Sequence, residues 1–148
     1  MADKSTVGHE FPSITWVVEK GKIKELVQAI GDGNPVYVDK EKAIGEGYKD
    51  TPVSLTFSTV PMCWENGLFA ALKVCKIKLA RALHGEESYE YFQEMYPGDV
   101  LTGKMKVVAV DEKSGKSGSM DLVRLETVFT NQRNEMVLKA SSLIVERK

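Results

Sequence analysis

The spacing of apolar residues changes along this chain from a helical rhythm to a strand rhythm. Ile23, Leu26, Val27 and Ile30 fall three and four apart and predict an amphipathic helix over residues 22–30. Ahead of it, residues 11–18 are short, aromatic and β-branched, and predict a first strand. Asp39 is placed to cap a short helix over residues 40–44 that stops at Gly45 and Gly47. Residues 51–66 differ in kind, because Val53, Leu55, Phe57, Val60, Met62, Cys63 and Trp64 leave almost no polar face. A helix of that composition belongs in the middle of a protein. Thr51 as N-cap and Pro52 at the first helical position would start it, with Pro61 kinking or ending its regular part. Residues 68–81 predict more helix and loop, with Lys73, Lys76 and Lys78 exposed.

From His84 onward the period shortens. Residues 87–95 alternate, Tyr96-Pro97-Gly98-Asp99 forms a turn, and residues 100–110 make a further strand before a loop over 111–118. Residues 120–130 and 135–146 predict a long hairpin across Asn131-Gln132-Arg133-Asn134. On its last strand, Met136, Leu138, Ala140 and Ile144 share one face, and Val137, Leu143 and Val145 share the other. A strand apolar on both faces is covered on both, and a second subunit would supply the second cover. The expected class is α+β, one domain over residues 1–148, with helices early and antiparallel strands late.

Composition changes this picture little. With 148 residues, 43% hydrophobic and 28% charged, the chain has the make-up of an ordinary globular domain. A net charge of −1, with basic residues interleaved among acids, argues against a nucleic-acid partner. No run approaches a membrane span, and the polar start Met1-Ala2-Asp3-Lys4-Ser5 lacks a signal peptide's apolar region. Cys63 and Cys75 read as buried thiols, which points to the cytoplasm.

The candidate chemistry sits behind the first helix. In Gly31-Asp32-Gly33-Asn34-Pro35-Val36-Tyr37-Val38-Asp39 the backbone must turn, and the turn presents Asp32 and Tyr37 outward from a packed element. A carboxylate held that way is a candidate acid or base, although the same segment also reads as an ordinary turn after a helix.

That run, with Val18-Glu19-Lys20-Gly21-Lys22-Ile23 before it and Gly47-Tyr48-Lys49 and Thr51-Pro52-Val53-Ser54-Leu55-Thr56-Phe57 after it, resembles the MaoC-like hydratases and dehydratases. It is most similar to their N-terminal subfamily, which includes the fatty-acid-synthase type dehydratase region. Leu83-His84-Gly85-Glu86-Glu87-Ser88-Tyr89 and Tyr96-Pro97-Gly98-Asp99 extend the resemblance. It implies a hot-dog fold, an antiparallel sheet wrapped around one long helix, which here would be residues 51–66. It implies no cofactor and no metal, and a 2-enoyl thioester of coenzyme A or acyl carrier protein as substrate. Active members draw acid and base from Asp-x-Asn-Pro-x-His, and an oxyanion donor from a glycine N–H near the start of the central helix.

The carry-over is partial. Asp32, Asn34 and Pro35 match, but Tyr37 stands at the histidine position. Leu55 stands at the glycine position, with Ser54 before it where active members have histidine. The resemblance therefore implies Asp32 as the candidate catalytic residue, with Asn34, Tyr37, Ser54, Leu55 and Phe57 lining the substrate. His84 reads as supporting the fold, and His9 as solvated. Three functions remain open: a substrate-holding subunit paired with a second hot-dog chain that carries the full motif, a stand-alone homodimeric hydratase using Asp32, and a non-catalytic acyl-binding or scaffold module. A hot-dog thioesterase is a weaker alternative, because this chain has no convincing acidic residue in the central helix before Glu65.

Overall fold

The computed structural model describes residues 2–64, 67–115 and 118–148. Its frame is a five-stranded antiparallel sheet built from β1 (Ile14–Val17), β2 (Ala82–Tyr91), β3 (Val100–Gly115), β4 (Gly118–Thr130) and β5 (Met136–Arg147). The spatial order is β1-β3-β4-β5-β2, so β1 and β2 are the edges. Alternation along β4 sets one face inward: Val123, Leu125, Thr127 and Phe129 are buried, and the residues between them are half-exposed. The register places Leu138 beside Phe129, Ala140 beside Thr127 and Ile144 beside Val123 on that same face.

The first strand is shorter than expected. Proline at position 12 has no N–H for the ladder, so regular pairing starts at Ile14. The chain before it still runs along β3, with Phe11 N–H donating to Met105 O and a bridge between Glu10 and Lys106. At the other side, β3 and β4 extend into the expected loop as far as Gly115 and Gly118; Lys116 and Ser117 lie outside the described residues.

The helical layer corrects the sequence reading in one place. Residues 51–54 are not helical and residues 55–58 form turns. Helix α3 covers Thr59–Trp64 and α4 covers Gly67–Val74, after α1 (Lys20–Ala29) and α2 (Lys40–Gly45) earlier in the chain. Pro61 decides the start. In a helix begun at residue 51 its ring would clash with the carbonyl four residues back, whereas at the third position of α3 its missing N–H costs nothing. Thr51 is therefore no N-cap: it is fully buried in non-helical chain, and Val53 N–H pairs with Met95 O. The expected helix end at Glu65 and Asn66, and the burial expected of Cys63 and Trp64, fall outside the described residues.

Two buried clusters join these layers. Ala71, Leu72, Cys75 and Ile77 pack with Val107, Val123, Leu125 and Ile144. Val53 and Phe57 pack with Trp16, Ile23, Leu101, Phe129 and Leu138, where the Trp16 and Phe129 rings meet edge to face at 5.5 Å. Val137 and Leu143, expected to face a second subunit, are buried within the chain itself. Exposed apolar residues instead include Leu55, Leu68, Phe69, Leu79, Leu83, Tyr91 and Phe92, on the helical segment and on β2 with its flanks, besides others scattered elsewhere.

Strand β2 carries Glu86, Glu87 and Glu90 and neither lysine nor arginine. Its register with β5 shifts between His84 and Glu86, a one-residue bulge at Gly85.

Candidate active site

The Asp32 turn is built by the end of α1. Gly31 takes a left-handed φ of 73°. Its N–H donates to Gln28 O, and the Asp32 N–H donates to Val27 O. This paired bonding satisfies the last helical carbonyls and throws the chain outward at Asp32. Asp32 Oδ1 then accepts the Asn34 N–H at 3.0 Å, and Asn34 Oδ1 accepts the Val36 N–H at 3.2 Å. Asn34 thereby caps a single 3-10 turn, Pro35–Tyr37, with proline at its first position. Val36 drops into the core and leaves Tyr37 half-buried beside Asp32, which is exposed. Next along the chain, Asp39 caps α2 as expected, accepting the N–H groups of Glu41 and Lys42.

Burial pushes the Tyr37 phenol above its ordinary value, and the charges of Asp32, Tyr48 and Glu94 push in the same direction. Tyr91 is pushed up likewise, by burial first, then by Glu94 and Tyr37. Its hydroxyl donates to the Leu55 carbonyl, which joins the end of β2 to the turn that precedes α3. So Asp32, Tyr37 and the Leu55 carbonyl converge through Tyr91, across segments far apart in sequence. Leu55 itself points outward at 67% exposure, and its N–H has no acceptor among the described residues.

The other two expected lining residues lie deeper. Ser54 is buried, and its hydroxyl and that of Thr51 find no hydrogen-bond partner among the described residues. Phe57, 2% exposed, belongs to the core cluster around Trp16 and Phe129. Sequence reasoning passed over Tyr48, Tyr91 and Glu94. For Tyr91 a signal existed, since Tyr89 and Tyr91 stand two apart on a strand and must share a face.

An apolar cleft of about 410 Å³ lies between the helical layer and the sheet, and none of Asp32, Asn34, Tyr37, Ser54, Leu55 and Phe57 lines it. Met62, Phe69 and Leu72 form one wall, Leu125, Phe129 and Ile144 another, and β2 closes the side with Leu83 and Tyr89. A concave, mostly apolar space with few polar groups is the usual form of a site for an acyl-sized ligand. No group of three or more metal-binding side chains occurs among the described residues, and no described helix is long and apolar enough to cross a membrane.

The sequence model described as the FAS1-like, dehydratase domain region matches residues 5–140. The chain belongs to this MaoC-like family. A UPF0336 protein from Streptomyces avermitilis is 28% identical over 146 residues, covering 98% of this chain and 95% of that protein. Among solved structures, a MaoC-like dehydratase superposes with a TM-score of 0.82 at 23% identity, covering 98% of this chain and 43% of that longer one. A C-terminally truncated HadBC complex, the (3R)-hydroxyacyl-ACP dehydratase of Mycobacterium tuberculosis, gives a TM-score of 0.77 at 20% identity, covering 95% and 96%. These likenesses establish the hot-dog fold expected of the FAS1-like dehydratase region. Its sausage starts at Thr59 rather than at Thr51.

Proposed function

We propose that this chain is the substrate-holding subunit of an enoyl-thioester hydratase or 3-hydroxyacyl-thioester dehydratase, paired with a second hot-dog subunit that carries the intact Asp and His. Tyr37 carries this reading. Hydration of a 2-enoyl thioester needs a base to take a proton from water and an acid to deliver one to the α-carbon. The phenol at the histidine position starts near pKa 10 and is pushed higher by burial and by Asp32, so at neutral pH it keeps its proton. It can donate a hydrogen bond to a bound thioester but cannot accept water's proton. The exposed Leu55 side chain, standing where active members place glycine, would narrow approach to its own N–H, the group proposed to face the thioester oxygen.

Binding is better equipped than turnover. The cleft would take the acyl chain of a coenzyme A or carrier-protein thioester, with the thioester held near Tyr37, Tyr91 and Leu55. The exposed apolar residues of α4 and of β2, including Leu68, Phe69, Leu83 and Tyr91, would then lie under the partner subunit. A cytoplasmic setting fits Cys75, a buried free thiol.

The test is turnover of crotonyl-coenzyme A and longer 2-enoyl thioesters. The purified chain is expected to hydrate them very slowly or not at all, and activity is expected on adding the partner subunit. Asp32→Asn then costs little in the complex. Robust turnover by the pure chain, falling by roughly 100-fold or more in Asp32→Asn, would overturn the substrate-holding role and make Asp32 catalytic in a stand-alone enzyme.

A further inference from the structure

One wall of the apolar cleft is polar, and a strand irregularity puts it there. His84 and Glu87 are three positions apart, so a regular strand would send them to opposite faces. The bulge at Gly85 absorbs one residue and leaves both lining the cleft, together with Ser142, which lies opposite Glu87 on β5. Glycine permits this close approach: a Cβ at position 85 would stand 2.9 Å from Val145 Cγ2 and 3.3 Å from Leu143 Cδ2. Glu87 Oε2 accepts the Ser142 hydroxyl at 2.5 Å and meets His84 Nε2 at 2.9 Å. Tyr89 continues the row, its phenol pushed up to about 12 by burial first and by the Glu87 charge second.

A cleft that receives only methylene groups gains nothing from such a wall, because covering a carboxylate with hydrocarbon costs free energy that no new hydrogen bond returns. The chemistry of the row specifies what would return it. A carboxylate only accepts, and an imidazole that donates to it from Nε2 keeps an accepting Nδ1. The complement is a hydrogen-bond donor carried into an apolar space. Its place is remote from the thioester: Tyr91 marks the Leu55 end of β2, and His84 lies seven residues away, about 20 Å along a strand.

We propose that His84, Glu87 and Ser142 form a subsite for a hydroxyl group at the far end of the acyl chain, so that the cleft prefers ω-hydroxylated acyl thioesters to their unsubstituted counterparts. This deepens the substrate-holding role and rests on the cleft being the acyl site. The experiment is calorimetric titration of the full chain with dodecanoyl- and ω-hydroxydodecanoyl-coenzyme A, and with the corresponding hexadecanoyl pair. In at least one pair the hydroxylated ligand is expected to bind about tenfold or more tightly, as for a hydrogen bond to a charged group. Glu87→Ala and His84→Ala are expected to bring the ratio toward one. Equal affinity within both pairs overturns the subsite and leaves the acyl-binding role standing, whether or not the variants fold. An unchanged ratio in both folded variants also overturns it. Binding of no acyl thioester overturns both proposals.

Discussion

Tyrosine and histidine differ at one position of the turn by several units of proton affinity, and the surroundings of Tyr37 widen that difference. Tyr37→His restores the spacing of the active family members, and the isolated chain is expected to hydrate crotonyl-coenzyme A faster than wild type. Equal rates would put the deficit at Leu55 rather than at residue 37. Tyr89 carries a second consequence of buried phenols. Its folded pKa of about 12, raised by burial and by Glu87, lies above the unfolded value of about 10. The folded state therefore holds this proton more tightly, and the stabilisation is full below pH 10 and disappears as pH climbs toward 12. Denaturant unfolding measured between about pH 9 and 12 should show a steeper loss of stability in wild type than in Tyr89→Phe. Parallel pH profiles would count against the buried phenol.

At the scale of elements, the bulge at Gly85 has the clearest mutational signature. Gly85→Ala places a methyl group against Val145 and Leu143 and is expected to cost about 1–3 kcal/mol, read as a lowered denaturant midpoint with an unchanged slope. No change in midpoint would mean that β2 relaxes around the methyl. What the sequence disclosed follows from how local each feature is. Asp32 and its turn were legible because the Gly31 helix stop, the Asn34 cap and Pro35 all act within a few residues. The start of the sausage was not, because a segment apolar all round can be a buried helix or a buried extended chain, and periodicity does not separate them. Only the position of Pro61 argued for the later start. Tyr91 stayed hidden for the opposite reason: it meets Leu55 across 36 positions, a contact made by the pairing of β2 with β5 and the packing of the turn before α3. The bulge was equally silent, since it blurs the alternation from which a strand is read.

For the whole molecule, the proposed pairing with a second subunit makes the open edge of the sheet the place where self-association and partnering would compete. Among the described residues, strand β2 has one neighbouring strand, β5, and its other side is open. Apolar Leu83, Tyr91 and Phe92 make that side adhesive, while Glu86, Glu87 and Glu90 make it selective. In a two-fold antiparallel pairing centred on Glu86, that carboxylate falls opposite its own copy, and like charges placed opposite one another repel. Arg124 compensates Glu86 only in part, at 3.3 Å on an exposed face. A partner strand with basic residues at those positions meets no such barrier. Sedimentation of the isolated chain should therefore show self-association strengthening as salt is added, and complexes with a basic-edged partner weakening over the same range. Self-association that falls with salt would contradict this. If the proposed pairing holds, three carboxylates would turn an ordinary sheet edge into a sieve, keeping newly made chains apart from their own kind until a complementary subunit is met.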